Sequence, residues 1–254
     1  MLMQEKNKKY LDTAHSIIKF NTGWFLNFSR ECIYMRKYAK KFKLLYEKVA
    51  DIFEDAPGCH DWWHTMRVLH NARTIAKKEK KADYFVVELG ALLHDVSRPD
   101  EFNSRGKLCH AEHGSLKAAN LLAECGFDDK ELIGKVTECV RKHRFRIRGN
   151  ANPESIEEKI VYDADKLDSI GAIGVGRAFH FAGRIGAKLH NTKKEALASK
   201  SYSREDTAYR EFLVKLRRIK SRMQTCGGKE LAKKRHDFMR KYFEELNKEI
   251  YESR

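Results

Sequence analysis

The sequence predicts an all-α fold, and three observations carry that reading. The 254 residues hold only three prolines against 51 lysines and arginines, a balance that suits long helices better than many short strands. From Met35 onward Tyr38, Phe42, Leu45, Tyr46, Val49 and Phe53 recur at the 3.6-residue period, with lysines on the opposite face. No segment shows convincing period-2 alternation.

The elements follow in order. Pro57-Gly58 closes the helix that starts at Met35. A second helix is predicted over 61–78 with Asp61 as its N-cap, and a third, rich in Val, Leu and Ala, over 82–95. Residues 97–109 read as a polar loop around Pro99 and Gly106. A fourth helix covers 110–125 and stops at Gly126; a fifth covers 129–144. After a loop over 146–153 come helices at 154–167, 170–189, 205–224 and 229–251. There is no internal repeat. Residues 1–34 are read as a basic N-terminal extension and 35–254 as the main domain.

Composition narrows the classes. Apolar residues at 42% can build a core, and charged residues at 34% surround it with a solvated surface. The longest uncharged stretch runs from Phe20 to Ser29, whereas a bilayer-spanning helix needs about 20 apolar residues. No membrane partner is expected. No small-residue cleavage pattern follows that stretch, so the cytoplasm is the expected address. None of the six cysteines has C-x-x-C spacing, which argues against a zinc ribbon or a dithiol redox site. Cys59 and Cys109 precede His60 and His110, where small buried filler fits better than thiolate ligation. The net charge of +15 draws anions such as nucleotides and nucleic acid, although charge alone cannot name the anion.

Three His-Asp dipeptides occur, at 60–61, 94–95 and 236–237. The pair is cheap, so context selects among them. The apolar run Glu88-Leu89-Gly90-Ala91-Leu92-Leu93 ends on His94-Asp95, two side chains costly to bury unless a metal ion or a partner satisfies them. Upstream, His64 and Arg67 share a helix face; downstream, Asp163, Asp165 and Asp168 offer three carboxylates. A histidine from one helix, His-Asp from a second and an aspartate from a third can close around one divalent ion. His236-Asp237 lies in a charged helix without such neighbours and reads as surface.

Five segments in this order, HDWWHTMRVLHNA, GALLHDVSRPDEF, HAEHGSLKAANLL, VRKHRFR and DADKLDSIGAIGVGRAF, resemble the HD-domain metal-dependent phosphohydrolase superfamily. The resemblance is closest to a branch of small bacterial and archaeal HD hydrolases, some of them nucleotide pyrophosphohydrolases. It covers roughly residues 35–250 and implies a helical bundle with hydrolase activity. It implies His64, His94, Asp95 and Asp165 as metal ligands. His110 and His143 match positions that hold a second metal or the substrate phosphate in related proteins. The Gly-Tyr-Pro triplet of the cyclic-dinucleotide phosphodiesterase branch is missing, which disfavours that activity.

The implied chemistry is hydrolysis at phosphorus. A divalent ion, whether Mn, Mg, Fe, Co, Ni or Zn, neutralises phosphate oxygens and lowers the pKa of bound water. Asp95 or Asp168 is expected to orient that water. Arg98 is expected to clamp a phosphate and Lys166 to hold another as a point charge, with Arg67 and Lys142 as lesser candidates. His60 is a candidate substrate contact, His113 a structural residue, and Asp163 a cap or supporting partner. Gly171, Gly174 and Gly176 lack the context of a P-loop and suit close helix packing. Of Trp62 and Trp63, at least one belongs in the core, and the other is free to stack on a base or stay at the surface.

The expected substrate is a small phosphorylated molecule, a nucleotide by preference. Cleavage of a triphosphate to monophosphate and pyrophosphate stands slightly ahead of monoester hydrolysis. The alternative is a non-catalytic nucleotide- or RNA-binding module, for which the basic N-terminal segment with Phe20, Trp24, Phe25 and Phe28 is the feature.

Overall fold

The computed structural model describes residues 29–54, 56, 58–104, 106–144 and 152–251. The aromatic residues Phe20, Trp24, Phe25 and Phe28 lie outside the described residues. The chain divides into two compact units, residues 1–43 and 44–254, with the boundary inside the first helix. Among the described residues every regular element is helical, and no helix is long and apolar enough to cross a membrane.

The helices are α1 (Ser29–Ile52), α2 (Trp62–Ala76), α3 (Tyr84–Leu93), α4 (Arg98–Asn103), α5 (His110–Glu124) and α6 (Lys130–Lys142). They continue with α7 (Ile156–Leu167), α8 (Gly171–Arg184), α9 (Lys193–Ala198), α10 (Ala208–Val214) and α11 (Cys226–Tyr251). Helix α1 starts earlier than the amphipathic pattern that begins at Met35.

Side-chain caps set most of the starts. The Asp61 carboxylate accepts from His64 N at 2.8 Å and so opens α2. Asp83 and Asp129 do the same for α3 and α6, and Ser155 forms a capping box with Glu158 at α7.

Three expectations are corrected. The polar stretch 97–109 contains α4, with Pro99 in its first turn, where a missing N–H costs nothing. Helix α8 ends at Arg184 rather than 189. Gly186 takes φ 69°, and Ala187 N–H closes on Ala182 O at 2.9 Å. Residues 205–224 are α10 followed by two 3-10 turns, Leu216–Arg218 and Lys220–Arg222. The three-residue repeat of those turns lets Leu216 and Ile219 both enter the core.

Helix α2 packs on α3 and α7, α3 on α6 and α7, and α6 on α5. Helix α11 lies across α7 and α8. Val68, Leu69, Ala72 and Ile75 of α2, Ile160 and Leu167 of α7 and Met239 and Phe243 of α11 share one buried cluster. Gly174 is where α8 approaches most closely: a Cβ there would overlap the Ser169 carbonyl and meet Met239 Cε at 3.0 Å. That contact fits the close packing expected at Gly174, whereas a Cβ at Gly176 would meet nothing within 4 Å.

Candidate metal centre

The site is assembled from helix ends. His64 stands in the first turn of α2, His94 caps the end of α3, His110 opens α5, and His143 caps the end of α6. Asp165 lies in the last turn of α7, and Asp168 caps it. All six are buried, as is Asp95.

The hydrogen bonds assign the tautomers. His64 Nδ1 lies 2.7 Å from Asp168 Oδ2, and His94 Nδ1 lies 2.8 Å from Ala91 O. His143 Nδ1 lies 2.6 Å from Val140 O, and His110 Nδ1 lies 2.9 Å from Glu101 Oε2. Carbonyls and carboxylates only accept, so each Nδ1 is assigned the proton; at His110, Arg98 Nη1 also lies 3.1 Å from Nδ1, but it makes its shorter bond to Glu101 at 2.6 Å. Each Nε2 is thereby available as a ligand, the arrangement that outer hydrogen bonds enforce around metal-binding histidines.

These Nε2 atoms converge on two carboxylates. His64 Nε2 is 3.5 Å from Asp165 Oδ1 and 3.5 Å from Asp95 Oδ2. His143 and His110 Nε2 stand 3.4 and 3.6 Å from Asp95 Oδ1. Asp95 Oδ1, His110 Nε2 and His143 Nε2 are buried without any hydrogen-bond partner. Arg98 Nε lies 3.3 Å from Asp95 Oδ1 as an ion pair, but the two unpartnered imidazole nitrogens facing that oxygen remain unfavourable unless a cation joins them. Among the described residues, His64, His94 and Asp165 form one group whose ligand atoms lie within 4.8 Å of one another. Asp95, His110 and His143 form another, and His60, His64 and Asp95 a third. No cysteine belongs to any of them.

The electrostatics agree with that donor set. Burial pulls the His94 and His110 imidazoles down to about 4, which keeps them neutral and able to ligate. Burial alone would raise the Asp95 carboxyl, but the Arg98 guanidinium and then His94 hold it well below the usual range. His64 is the exception. Burial pulls it down, yet its bonds to Asp168 and Asp95 leave it raised. Its Nε2 is 3.2 Å from His94 Nε2, a separation that a shared proton makes favourable. A divalent ion would displace that proton.

Around this centre lie the other residues singled out in the sequence. His60 Nδ1 donates to Asp95 Oδ2 at 2.8 Å, and its ring stays partly open to solvent. Arg98 donates to Asp95 at 3.3 Å and to Glu101 at 2.6 Å. The Lys166 ammonium pairs with Asp165 and stands 5.3 Å from the Tyr162 ring centroid. Asp163 faces away and caps α11, accepting from Gln224 N, Thr225 N and Thr225 Oγ1. His113 bonds Ser97 Oγ at 2.6 Å. Trp62 is buried edge-on to Tyr46, with centroids 4.8 Å apart, while Trp63 is exposed.

Three roles are corrected. The Asp168 carboxylate does not face the ligand cluster as a water-orienting base; His64, Arg67 and Arg177 occupy its oxygens. Arg67 spends Nε and Nη2 on Asp168 at 2.7 and 3.0 Å, so it buttresses that carboxylate and is not placed as a phosphate ligand. Lys142 is caged by Glu138, Glu154 and Glu158 at 3.3, 3.0 and 3.1 Å.

Sequence reasoning missed Arg177 and Glu101. Arg177 Nη1 donates to Asp168 Oδ2 at 2.7 Å, and Nη2 donates to His60 Nε2 at 3.3 Å. A signal was there: Arg177 is the single Asp, Glu, Lys or Arg between Asp168 and Arg184. Glu101 left no comparable trace, because its contact with His110 depends on the path of α4.

Residues 62–170, which hold both ends of this constellation, match the HD domain family. The Bacillus subtilis protein YpgQ is 37% identical over 221 residues, covering 84% of this chain and 96% of YpgQ. The chain belongs to the HD-domain phosphohydrolase family. The crystal structure of YpgQ in complex with ADP superposes with a TM-score of 0.64 at 34% identity, covering 84% of this chain and 96% of that one. An HD-superfamily hydrolase from Bacillus thuringiensis gives a TM-score of 0.65 at 28% identity, covering 86% of this chain and all of that one. A predicted HD-superfamily hydrolase from an uncultured Thermotogales bacterium gives 0.57 at 27%, covering 82% and 91%. Of the three His-Asp dipeptides, His94-Asp95 alone lies within the matched residues. The residues present fit a divalent cation, by the orphaned Nε2 and carboxylate atoms described above.

Proposed function

We propose that this HD domain is a divalent-metal-dependent phosphohydrolase acting on a nucleotide. Cleavage of a nucleoside triphosphate to monophosphate and pyrophosphate is the preferred reaction. The observation that carries the proposal is the inward convergence of four imidazole Nε2 atoms on Asp95 and Asp165, with three of the converging atoms buried and unpartnered. Nucleotide chemistry is supported by the relative YpgQ, which was crystallised with ADP.

His64, His94, Asp95 and Asp165 would hold one ion, and His110 and His143 with Asp95 a second. A donor set rich in imidazole suits Mn, Fe, Co, Ni or Zn better than Mg. A bound ion would supply charge neutralisation at phosphate oxygens and a water acidified toward neutral pKa. The chain's own residues do the rest. Asp95, whose carboxylate belongs to two of the groups of ligand atoms, would orient that water. Arg98, bonded to Asp95 and Glu101, and Lys166, paired with Asp165, would supply the cations for the phosphate oxygens. His60 reaches the same space from the solvent side, with its Nδ1 proton committed to Asp95. Asp168, with Arg67 and Arg177 behind it, keeps the His64 ring turned so that Nε2 faces inward.

The test is a hydrolysis screen of chelator-stripped protein re-metallated in turn with Mg, Mn, Co, Ni and Zn. The panel holds nucleoside triphosphates, monophosphates and p-nitrophenyl phosphate, read for both phosphate and pyrophosphate. Metal-dependent turnover that disappears in the folded His94→Ala/Asp95→Ala variant is the expected result. Wild-type rates in that variant would refute the assignment.

A further inference from the structure

Helix α8 carries a face that its packing leaves unused. Gly171, Gly174, Val175, Ala178 and Ala182 are buried. Ile173, Arg177, Phe181 and Arg184 recur at spacings of four, four and three residues on another side. One point on this stripe is tied to the metal centre, because Arg177 bonds both Asp168 and His60. A turn further, about 6 Å along the axis, the Phe181 ring meets the Tyr202 ring at 73°, with centroids 5.7 Å apart. The Arg184 guanidinium stands over the Phe181 ring at 5.9 Å. It also closes against Gly58 (φ +84°), two residues before His60, where a Cβ would fall 2.6 Å from Arg184 Nη1. His60, Arg177, Phe181 and Tyr202 therefore form a path leading outward from the ligands.

Tyr202 is not part of the buried core. Its residue is 76% exposed. It takes φ 62°, the one non-glycine residue with positive φ among the described residues. An L-residue with a bulky side chain adopts that region at a conformational cost, and such strain persists only where neighbouring structure imposes it. Here it does. Tyr202 N–H donates to Asp206 Oδ2 at 2.7 Å, and Arg210 pairs with Asp206 at 2.8 Å. Arg210 also holds the Ser199 carbonyl through Nε and Nη2, at 3.3 and 3.1 Å. A clamped loop thus presents a strained, solvent-facing aromatic ring edge-on to Phe181.

We propose that Phe181 and Tyr202 form the ledge on which the base of the nucleotide stacks, with Arg184 at its rim and Arg177 toward the phosphates. The inference rests on the nucleotide reading of this site. An aromatic ledge reads no hydrogen-bond pattern, so it accepts any base and favours purines, which stack over a larger area. The Arg184 guanidinium suits the charge of the nucleotide, and the path ends at the metal ligands where its phosphates belong.

The test is calorimetric binding of ADP and of inorganic pyrophosphate to the full chain loaded with Mn. Wild type is expected to bind ADP more tightly than pyrophosphate. Tyr202→Ala and Phe181→Ala should each weaken ADP about tenfold and leave pyrophosphate unchanged, while Tyr202→Phe retains wild-type affinity. Tyr202→Gly removes the backbone strain, so it should melt no lower than wild type and still lose ADP affinity. That pairing separates a binding role from a folding one. Unchanged ADP affinity in both alanine variants, equal losses for pyrophosphate, or a wild type that prefers pyrophosphate would each overturn the ledge. Nucleotide turnover with ADP affinity intact in the variants would refute the ledge alone. Ledge-dependent ADP binding without turnover of any nucleotide would refute the hydrolase reading alone.

Discussion

Asp168 Oδ2 accepts the Nδ1 proton of His64 at 2.7 Å, and the same carboxylate takes a bidentate bond from Arg67 and a fourth donor from Arg177. A buried carboxylate held this way fixes both the tautomer and the ring plane of His64. Asp168→Asn keeps the shape and removes the charge. Metal affinity should fall about 10–100-fold, measured by competition with a chromogenic chelator. An unchanged affinity would show that His64 needs no support from Asp168.

The same carboxylate predicts acid sensitivity. Burial would raise the Asp168 carboxyl, but its bonds from His64 and Arg67 bring it down from 3.8 to about 2. A depressed acid contributes stability that is present above its unfolded pKa and lost as pH falls toward the folded value. The loss should therefore run from about pH 4 to about pH 2 and amount to about 2–3 kcal/mol. Urea unfolding of metal-stripped protein across that window should show a steeper decline in wild type than in Asp168→Asn. Parallel curves would contradict this.

Removing the ion should cost stability as well as turnover. An ion held at about 100 times its dissociation constant adds about 2.7 kcal/mol, because the four histidines and two aspartates are gathered only in the folded chain. Chelation should lower the melting temperature, and re-addition should restore it. The His94→Ala/Asp95→Ala variant should melt at one temperature with or without metal.

Gly174 and Gly176 differ in a way that melting curves can read. A Cβ at Gly174 would overlap the Ser169 carbonyl, whereas one at Gly176 meets nothing within 4 Å. Gly174→Ala should destabilise by about 1–3 kcal/mol through overpacking. Gly176→Ala should stabilise by about 0.5–1 kcal/mol through helix propensity. Similar shifts for both would mean that α8 does not press on the segment following Asp168.

Much of this protein was legible in its sequence. The 3.6-residue stripes, the Asp61 cap and the breaks at Gly58 and Gly126 are local signals, and local backbone energetics are enough to set them. So too were the ligand-type residues, since an apolar helix that ends on His94-Asp95 demands a partner wherever it is buried. The roles of Asp168, Arg67 and Lys142 were not legible. One more carboxylate or cation among 36 acidic and 51 basic residues carries no mark of what it will face. Only the crossing of α2, α7 and α8 turned Asp168 toward the back of His64 and gave Arg67 and Arg177 to it. Only the path of α4 brought Glu101 to His110, and only the loop clamped by Asp206 and Arg210 set Tyr202 against Phe181. Periodicity and capping act over a few residues and can be read along the chain; a charged side chain takes its role from long-range packing, which the chain order does not display.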